Sequence, residues 1–292
     1  MRRLLACSPI LIALVMLAAC KREEPAAQAP AQPGQEQPGT AATPPPAPAE
    51  LKDVIERDPR YVIGISYPKG IDKYPGLAAE LRQYSDAARN ELKQALDGLG
   101  TEKPSAPYDL TLSFNTVLET PQIVAVSADG SSYTGGAHGN PLVARFVWLP
   151  QQNKALKINE LIVDKNGWRD LSGYVREQLH AALSQRIDAD EMPPAERAEL
   201  MKSALKMIDE GSMPEADNFA QFEPVLASDN KLSALRFVFP PYQVGPYSDG
   251  VQTVEVPASV LLPHVAQEYR DLFASTPAPS PAAPKPAPAP AG

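Results

Sequence analysis

Proline is the feature that most limits where this chain can fold. Of its 33 prolines, nearly half fall within two short stretches, 21–50 and 276–292, where alanine is the other main residue. Segments of this composition bury too little apolar surface to form a core, and proline stiffens them toward extended polyproline II. We therefore expect a plain tether over 20–50 and a disordered tail over 275–292, although either segment could also bind peptidoglycan or a partner.

The N-terminus has the pattern of a secretory signal peptide. Arg2 and Arg3 precede the apolar run Ile10–Leu17, which is shorter than the roughly 20 residues that a membrane span needs. The tetrapeptide ending at Cys20, Leu-Ala-Ala-Cys, closely resembles the lipobox of bacterial lipoproteins, in which the cysteine is acylated and the preceding peptide is removed. We predict a signal peptide over 1–19 and lipid on Cys20; the alternative is an ordinary signal with a chance cysteine.

Lipidation decides the location and the cysteine chemistry. Several acyl chains on one residue anchor a protein durably to a membrane. Lys21 stands where an aspartate is the familiar inner-membrane retention signal of Gram-negative lipoproteins, so we expect outer-membrane anchoring facing the periplasm. Because Cys7 leaves with the signal peptide, the mature domain has no free thiol, and disulfides, thiolate catalysis and cysteine metal sites are excluded.

The span 51–274 is long enough for one sizeable domain or for two intimate parts, 51–150 and 151–274. The chain has a formal net charge of −8, and acidic side chains outnumber basic ones within this span. An acidic domain is a poor partner for nucleic acid and permits a basic protein partner. No cofactor is implied.

Hydrophobic periodicity predicts strands and helices in this span. Tyr108–Leu118 alternates between apolar and polar residues, which is typical of a half-buried strand. Apolar residues recur every three or four positions from Leu77 to Leu99, which indicates an amphipathic helix. The same criteria predict further strands at 60–67, 122–128, 142–149, 219–226, 232–239 and 251–256, and helices at 168–187, 194–209 and 259–273. The order predicts an α+β domain with mainly antiparallel sheets and three to four packing helices.

Two segments are more specific than this background. The first, Tyr133–Asn140, reads YTGGAHGN and is predicted to follow a turn at Asp129-Gly130. The second, Phe239–Gly250, reads FPPYQVGPYSDG. Together they resemble the paired domains of unknown function in the extracellular part of RsiV-type anti-sigma factors, which bind lysozyme. The same module precedes the catalytic domain of PdaC-type peptidoglycan deacetylases.

The resemblance implies a recognition module and not the parent activities. The signal and lipid stand in place of the sigma-binding segment and membrane span of an anti-sigma factor. The short stretch 274–292 cannot supply the metal-binding domain of a deacetylase. We therefore expect no enzymatic activity and a lysozyme-like protein or a peptidoglycan fragment as partner.

The motif residues allow structural and functional interpretations. Gly135 and Gly136 suit a turn better than a ligand-cradling loop. His138 could be a general base or a metal ligand, but no HxH or HxxxH spacing supports a metal, and a histidine that pins the glycine turn is favoured. Tyr133, Tyr242 and Tyr247 are candidate binding residues, although core packing is favoured for Tyr242 and is an even alternative for Tyr247.

Three functional hypotheses follow. The leading one is a noncatalytic envelope lipoprotein that recognises a lysozyme-like protein or a peptidoglycan fragment. The second is a cell-wall hydrolase centred on His138 with a nearby carboxylate such as Asp129, although no GxSxG nucleophile motif occurs in the chain. The third is a purely structural envelope lipoprotein.

Overall fold

The computed structural model describes residues 50–189 and 192–274. The predicted signal peptide, the predicted lipidation site Cys20, the predicted tether up to residue 49 and the predicted tail lie outside these residues. Within them, no helix combines the length and apolar character needed to cross a membrane.

The first half of the described chain forms a six-stranded sheet. Its strands, in spatial and chain order, are β1 (Val54–Asp58), β2 (Tyr61–Ser66), β3 (Tyr108–Glu119), β4 (Val124–Tyr133), β5 (Asn140–Leu149) and β6 (Lys154–Ala155). All neighbours are antiparallel except β2 and β3, which run parallel because helix α1 (Pro75–Gly98) connects them. Leu77, Leu81 and Leu92 of α1 are buried with Leu110 and Leu112 of β3 in one apolar cluster.

The second half forms a three-stranded antiparallel sheet with two long helices. The strands are β7 (Phe222–Leu226), β8 (Leu232–Phe239) and β9 (Gln252–Pro257). The helices are the short α2 (Ile158–Leu161), α3 (Lys165–Ala189), α4 (Pro194–Gly211) and the short α5 (Ala258–Leu261). Helix α3 packs on β9 and α4 packs on α3. Short 3-10 segments occur in both halves, at 71–73, 150–152, 216–219, 247–249, 262–264 and 267–272.

The α+β class and the mainly antiparallel sheets are confirmed, and α1, α3 and α4 match three predicted helices. The predicted turn at Asp129-Gly130 is wrong, because both residues lie inside β4, which continues to Tyr133. A Cβ on Gly130 would lie 2.0 Å from the carbonyl oxygen of Thr111 on β3. Gly130 therefore allows β3 and β4 to approach closely, which is one reason for a glycine within a strand.

The predicted closing helix over 259–273 is also wrong, because it is broken into α5 and two 3-10 turns. Pro263 lies in the first of these turns, and Val265 then adopts an extended backbone and pairs with Ile162. Proline lacks the amide hydrogen that a continuing helix needs. The predicted strand over 219–226 begins later, at Phe222, since its first residue belongs to a 3-10 turn. The edge strand β1 was not predicted.

Candidate functional site

The first motif is the loop of the β4–β5 hairpin. Gly135 and Gly136 have φ values of 105° and 98°, and an added Cβ at either would meet nothing within 4 Å. Their backbone conformation, and not crowding, therefore requires glycine. The hydroxyl of Tyr133, the last residue of β4, donates to the carbonyl of Gly136 at 3.2 Å. These contacts fit the predicted turn and fix the loop that presents His138.

The second motif is the loop between β8 and β9, and several contacts fix its shape. The side-chain amide of Gln243 donates to the carbonyls of Gly211 and Asn218, at 2.9 and 2.8 Å. Arg186 of α3 forms an ion pair with Asp249 at 2.8 Å. The loop is thus attached to the end of α4 and to α3, so the side chains it carries are held in place.

Tyr242 of this loop has a strained backbone. Its φ of 75° lies in the left-handed region, which residues other than glycine rarely adopt. The backbone amide of Tyr242 donates to the carbonyl of Gly245 at 2.9 Å, which stabilises the turn. Non-glycine residues in this conformation cluster at functional sites, and the strain persists only where the surroundings impose it.

The two motifs meet at the protein surface. The Tyr242 hydroxyl lies 2.8 Å from Nε2 of His138, across 104 positions of sequence. The Tyr247 ring stacks on His138 with a centroid distance of 4.2 Å and an interplanar angle of 15°, and it lies 5.7 Å from the Tyr242 ring. We call His138, Tyr242 and Tyr247 the three-ring cluster. All three residues are exposed, Tyr242 to 51% and Tyr247 to 39%.

Hydrogen bonding assigns the tautomer of His138 in its neutral form. Its Nδ1 lies 3.1 Å from the carbonyl oxygen of Gly139, which can only accept a hydrogen bond, so Nδ1 carries the proton. Nε2 is then an acceptor, and the Tyr242 hydroxyl donates to it. The stacking covers one face of His138 and one face of Tyr247, while hydrogen bonds fix the polar atoms of His138 and Tyr242. The exposed parts of the three rings are suited to contact with a ligand.

The structure corrects two interpretations of these residues. Core packing is wrong for Tyr242 and for Tyr247, since both rings are exposed. The contact from His138 to the Gly139 carbonyl has the expected pinning geometry, but the ring itself is exposed to solvent. Tyr133 is only partly buried and supports the loop through Gly136, so it belongs beside the three-ring cluster and not within it.

The carboxylate proposed as a partner of His138 points elsewhere. Asp129 forms an ion pair with Arg145 of β5 at 2.9 Å, and His138 has its contacts with Gly139, Tyr242 and Tyr247. Across residues 50–189 and 192–274, no group of three histidine, cysteine, aspartate or glutamate side chains is placed to hold a metal ion.

The other two histidines lie in the second half of the fold. His180 of α3 approaches Asp209 at 3.4 Å. His264 lies between Asp164, 3.3 Å from Nδ1, and Asp170, 2.9 Å from Nε2. The backbone amide of Gly167 and the nearby His264 hold the pKa of Asp164 below its ordinary value. His264 thus connects α3 and the residue just before it to the segment after β9.

Sequence reasoning missed Arg145 and Glu223, which join the two sheets. The Arg145 side chain is 8% exposed and its Nε donates to Glu223, itself 11% exposed, at 2.6 Å. A signal existed in the sequence, because Arg145 interrupts the otherwise apolar strand 142–149. The partner could not be inferred, since Glu223 lies 78 positions away.

The two motifs belong to two different family segments. Residues 55–141 match the family model described as "Deacetylase PdaC", and residues 159–259 match that described as "Protein of unknown function (DUF3298)". The chain carries both segments in tandem. His138 lies in the PdaC segment, whereas Tyr242 and Tyr247 lie in the DUF3298 segment. The three-ring cluster is therefore assembled from both.

Solved structures are similar to this chain. A DUF3298 family protein from Pseudomonas aeruginosa PAO1 is similar with a TM-score of 0.52 and 16% identity, over 77% of this chain and 96% of that chain. A member of the same family from Bacteroides fragilis NCTC 9343 has a TM-score of 0.47 and 14% identity, over 75% and 94% of the two chains. Identities this low concern the fold alone. No curated protein matches the chain.

Proposed function

We propose that this protein is a noncatalytic lipoprotein of the cell envelope whose folded domain recognises a lysozyme-like protein or a peptidoglycan fragment. The three-ring cluster is the contact surface in this proposal. The observation that supports it is the meeting of His138, Tyr242 and Tyr247 as exposed, neighbouring rings that come from both family segments. Packing of the core does not account for rings that remain exposed to water.

The energetics of binding favour such a surface. Tyrosine buries a large area while immobilising only two side-chain torsions, so it gives affinity at a low entropic cost. The anchored loops reduce that cost further, because the rings are already held before a ligand arrives. Exposed aromatic residues on a rigid support are typical of binding hot spots.

Charge supports a basic protein as one of the two ligands. The chain has a formal net charge of −8, and a strongly basic partner such as lysozyme would be attracted over the Debye length. That length falls from about 30 Å at 0.01 M salt to about 10 Å at 0.1 M salt. We therefore expect added salt to slow the association of a basic protein and to change its dissociation less.

The test measures binding of the full chain to lysozyme and to soluble muropeptides at low salt, for the wild type, Tyr242→Ala and Tyr247→Ala. Loss of a hot-spot tyrosine costs on the order of 2 kcal/mol, or roughly 30-fold in affinity. Val163→Ala is the control, because Val163 is 66% exposed and lies between α2 and α3. It should leave affinity unchanged.

Melting curves of the same variants separate binding from folding. We expect Tyr247→Ala to melt close to the wild type, because its ring is exposed. Absence of binding to both ligand classes by the wild type would contradict the proposal and favour a structural envelope role. So would a loss of affinity only in variants that are also unfolded.

A further inference from the structure

Five charged side chains of alternating sign form a continuous row across both sheets. Asp129 on β4 pairs with Arg145 on β5 at 2.9 Å, and Arg145 pairs with Glu223 on β7 at 2.6 Å. Glu223 continues to Arg236 on β8 at 3.5 Å, and Arg236 to Glu255 on β9 at 3.2 Å. Each strand contributes one residue, and we call this row the charge ladder.

The ion pair between Arg145 and Glu223, which connects the two sheets, is the most buried part of the charge ladder. The side chains of Arg145 and Glu223 are 8% and 11% exposed, whereas those of Asp129, Arg236 and Glu255 are between 42% and 49% exposed. The backbone amide of Arg145 also donates to the side chain of Gln221 at 2.7 Å. Strands β5 and β7 belong to different sheets and are not paired through their backbones, so side chains connect them.

The charge ladder crosses the strands that carry the two loops of the site. Asp129 lies four positions before the end of β4, which leads into the loop with His138. Arg236 lies three positions before the end of β8, and Glu255 three positions after the start of β9. At about 3.3 Å per residue, these charges lie on the order of 10–15 Å along the strands from the loops.

A buried ion pair is weak evidence for stability, and in some proteins such a pair instead specifies one geometry. Replacing both partners by apolar residues of similar volume is often neutral for folding, whereas removing one partner leaves an uncompensated charge. The guanidinium of Arg145 is planar and directs its donors at fixed angles, here toward Asp129, Glu223 and the Ala144 carbonyl. Its position therefore sets how β7 sits beside β5.

We propose that Arg145 and Glu223 are positioning residues that hold the two sheets in the relative position at which His138 meets Tyr242 and Tyr247. The inference rests on the proposed function in one respect only, namely that the three-ring cluster is the binding surface. It adds that the cluster depends on a connection at a distance from it, between β5 and a strand of the DUF3298 segment.

The test observes the ring contact directly, without a ligand. The chain has 3 histidines, so a sample of the full chain with histidine labelled with carbon-13 at Cε1 gives three ring signals. The His138 signal is the one that the stacked Tyr247 ring shifts, and Tyr247→Leu identifies it and gives the unstacked position. The double variant Arg145→Met/Glu223→Met removes both charges of the buried ion pair and so leaves no unpaired charge between the two sheets. In this variant we expect the His138 signal to move most of the way to its unstacked position.

Two further variants distinguish positioning from general stability. Arg89→Met removes an ion pair between α1 and Glu56 of β1, within the first sheet layer, and should leave the His138 signal unchanged. Arg145→Met alone should lower the melting temperature more than the double variant does. If the double variant melts like the wild type and keeps the His138 signal in its wild-type position, the charge ladder does not position the site and the proposal is wrong.

The position of the His138 signal is measured without a ligand, so the positioning role and the proposed function can fail separately. A shifted His138 signal in the double variant, together with unchanged ligand affinity in Tyr242→Ala and Tyr247→Ala, would refute the proposed function and leave the positioning role intact. An unshifted signal together with weakened binding in the tyrosine variants would do the reverse.

Discussion

Gly211→Ala should destabilise the protein, although replacing glycine by alanine in a helix usually stabilises it. Replacing a glycine in a helix interior by alanine ordinarily stabilises the helix by about 0.5–1 kcal/mol, and Gly211 is the last residue of α4, so its gain is at most this large. Here an added Cβ would lie 1.8 Å from the carbonyl oxygen of Gln243 and 2.6 Å from its carbonyl carbon. Both are backbone atoms of the loop that carries Tyr242, so no side chain can move aside to accept the methyl group.

The two effects oppose each other, and the clash is the larger. Forcing an extra carbon into a packed contact costs about 1–3 kcal/mol when backbone must shift. Subtracting the helix gain of at most about 0.5–1 kcal/mol from the middle of that range, about 2 kcal/mol, leaves a net loss of about 1–1.5 kcal/mol. This corresponds to a fall of roughly 2–6 °C in melting temperature for a domain of this size. The displaced loop should also weaken the contact between Tyr242 and His138.

Gly173→Ala is the matched comparison. Gly173 lies within α3, and an added Cβ there meets nothing within 4 Å. Only the helix gain applies, so its melting temperature should rise by roughly 1–4 °C. Thermal unfolding followed by circular dichroism measures both variants under one condition. If Gly211→Ala rises in melting temperature as Gly173→Ala does, the loop does not pack on α4 as the structure shows, and the reasoning fails.

Three shorter predictions follow. Asp164→Asn should destabilise the fold near neutral pH, because the Gly167 amide and His264 lower the pKa of the Asp164 carboxyl in the folded protein. The stability that this carboxylate provides is present above its unfolded pKa and is lost as the pH falls through its lower folded pKa. Urea melts of the variant and the wild type should therefore converge in strong acid. His138→Ala should cost under about 1 kcal/mol in the same melts, since water can reach the carbonyl that it leaves, and a larger loss would contradict the exposed position. Labelled palmitate should enter the wild type and not Cys20→Ala, and label in that variant would contradict lipidation.

The sequence predicts well the elements whose evidence is local. The alternation over 108–118 and the three- and four-residue spacing over 77–99 each reflect one buried face, and the structure has β3 and α1 at these places. Strand β1 escaped prediction because it is an edge strand with only intermediate burial and an exposed Ile55. An edge strand has too little apolar surface to leave a periodic signal.

The failures occur where distant contacts override local preference. Asp-Gly is the usual signal of a tight turn, yet Gly130 lies in a strand because the neighbouring strand approaches so closely at Thr111. The apolar spacing after 259 resembles a helix, yet Val265 pairs with Ile162 instead. Neither partner can be identified from the sequence around the residue itself.

The same limit applies to the site. The glycine and proline motifs identify His138, Tyr242 and Tyr247 as unusual, but nothing local indicates that residues 104 positions apart share a hydrogen bond. Exposure was the harder property to predict, because a tyrosine between prolines fits a core as well as a surface. The left-handed backbone of Tyr242 is visible only in three dimensions.

The parallel pairing of β2 with β3 has a consequence for how the chain folds. The antiparallel pairs β1–β2, β3–β4 and β4–β5 join neighbours in sequence and can form by closing short loops. The β2–β3 pair closes only after the whole of α1 has crossed between them, for example to bring Tyr61 beside Tyr108. Long loop closures are entropically costly and slow folding. We expect the first sheet to assemble from two fast pieces, with the β2–β3 seam forming last and limiting the rate.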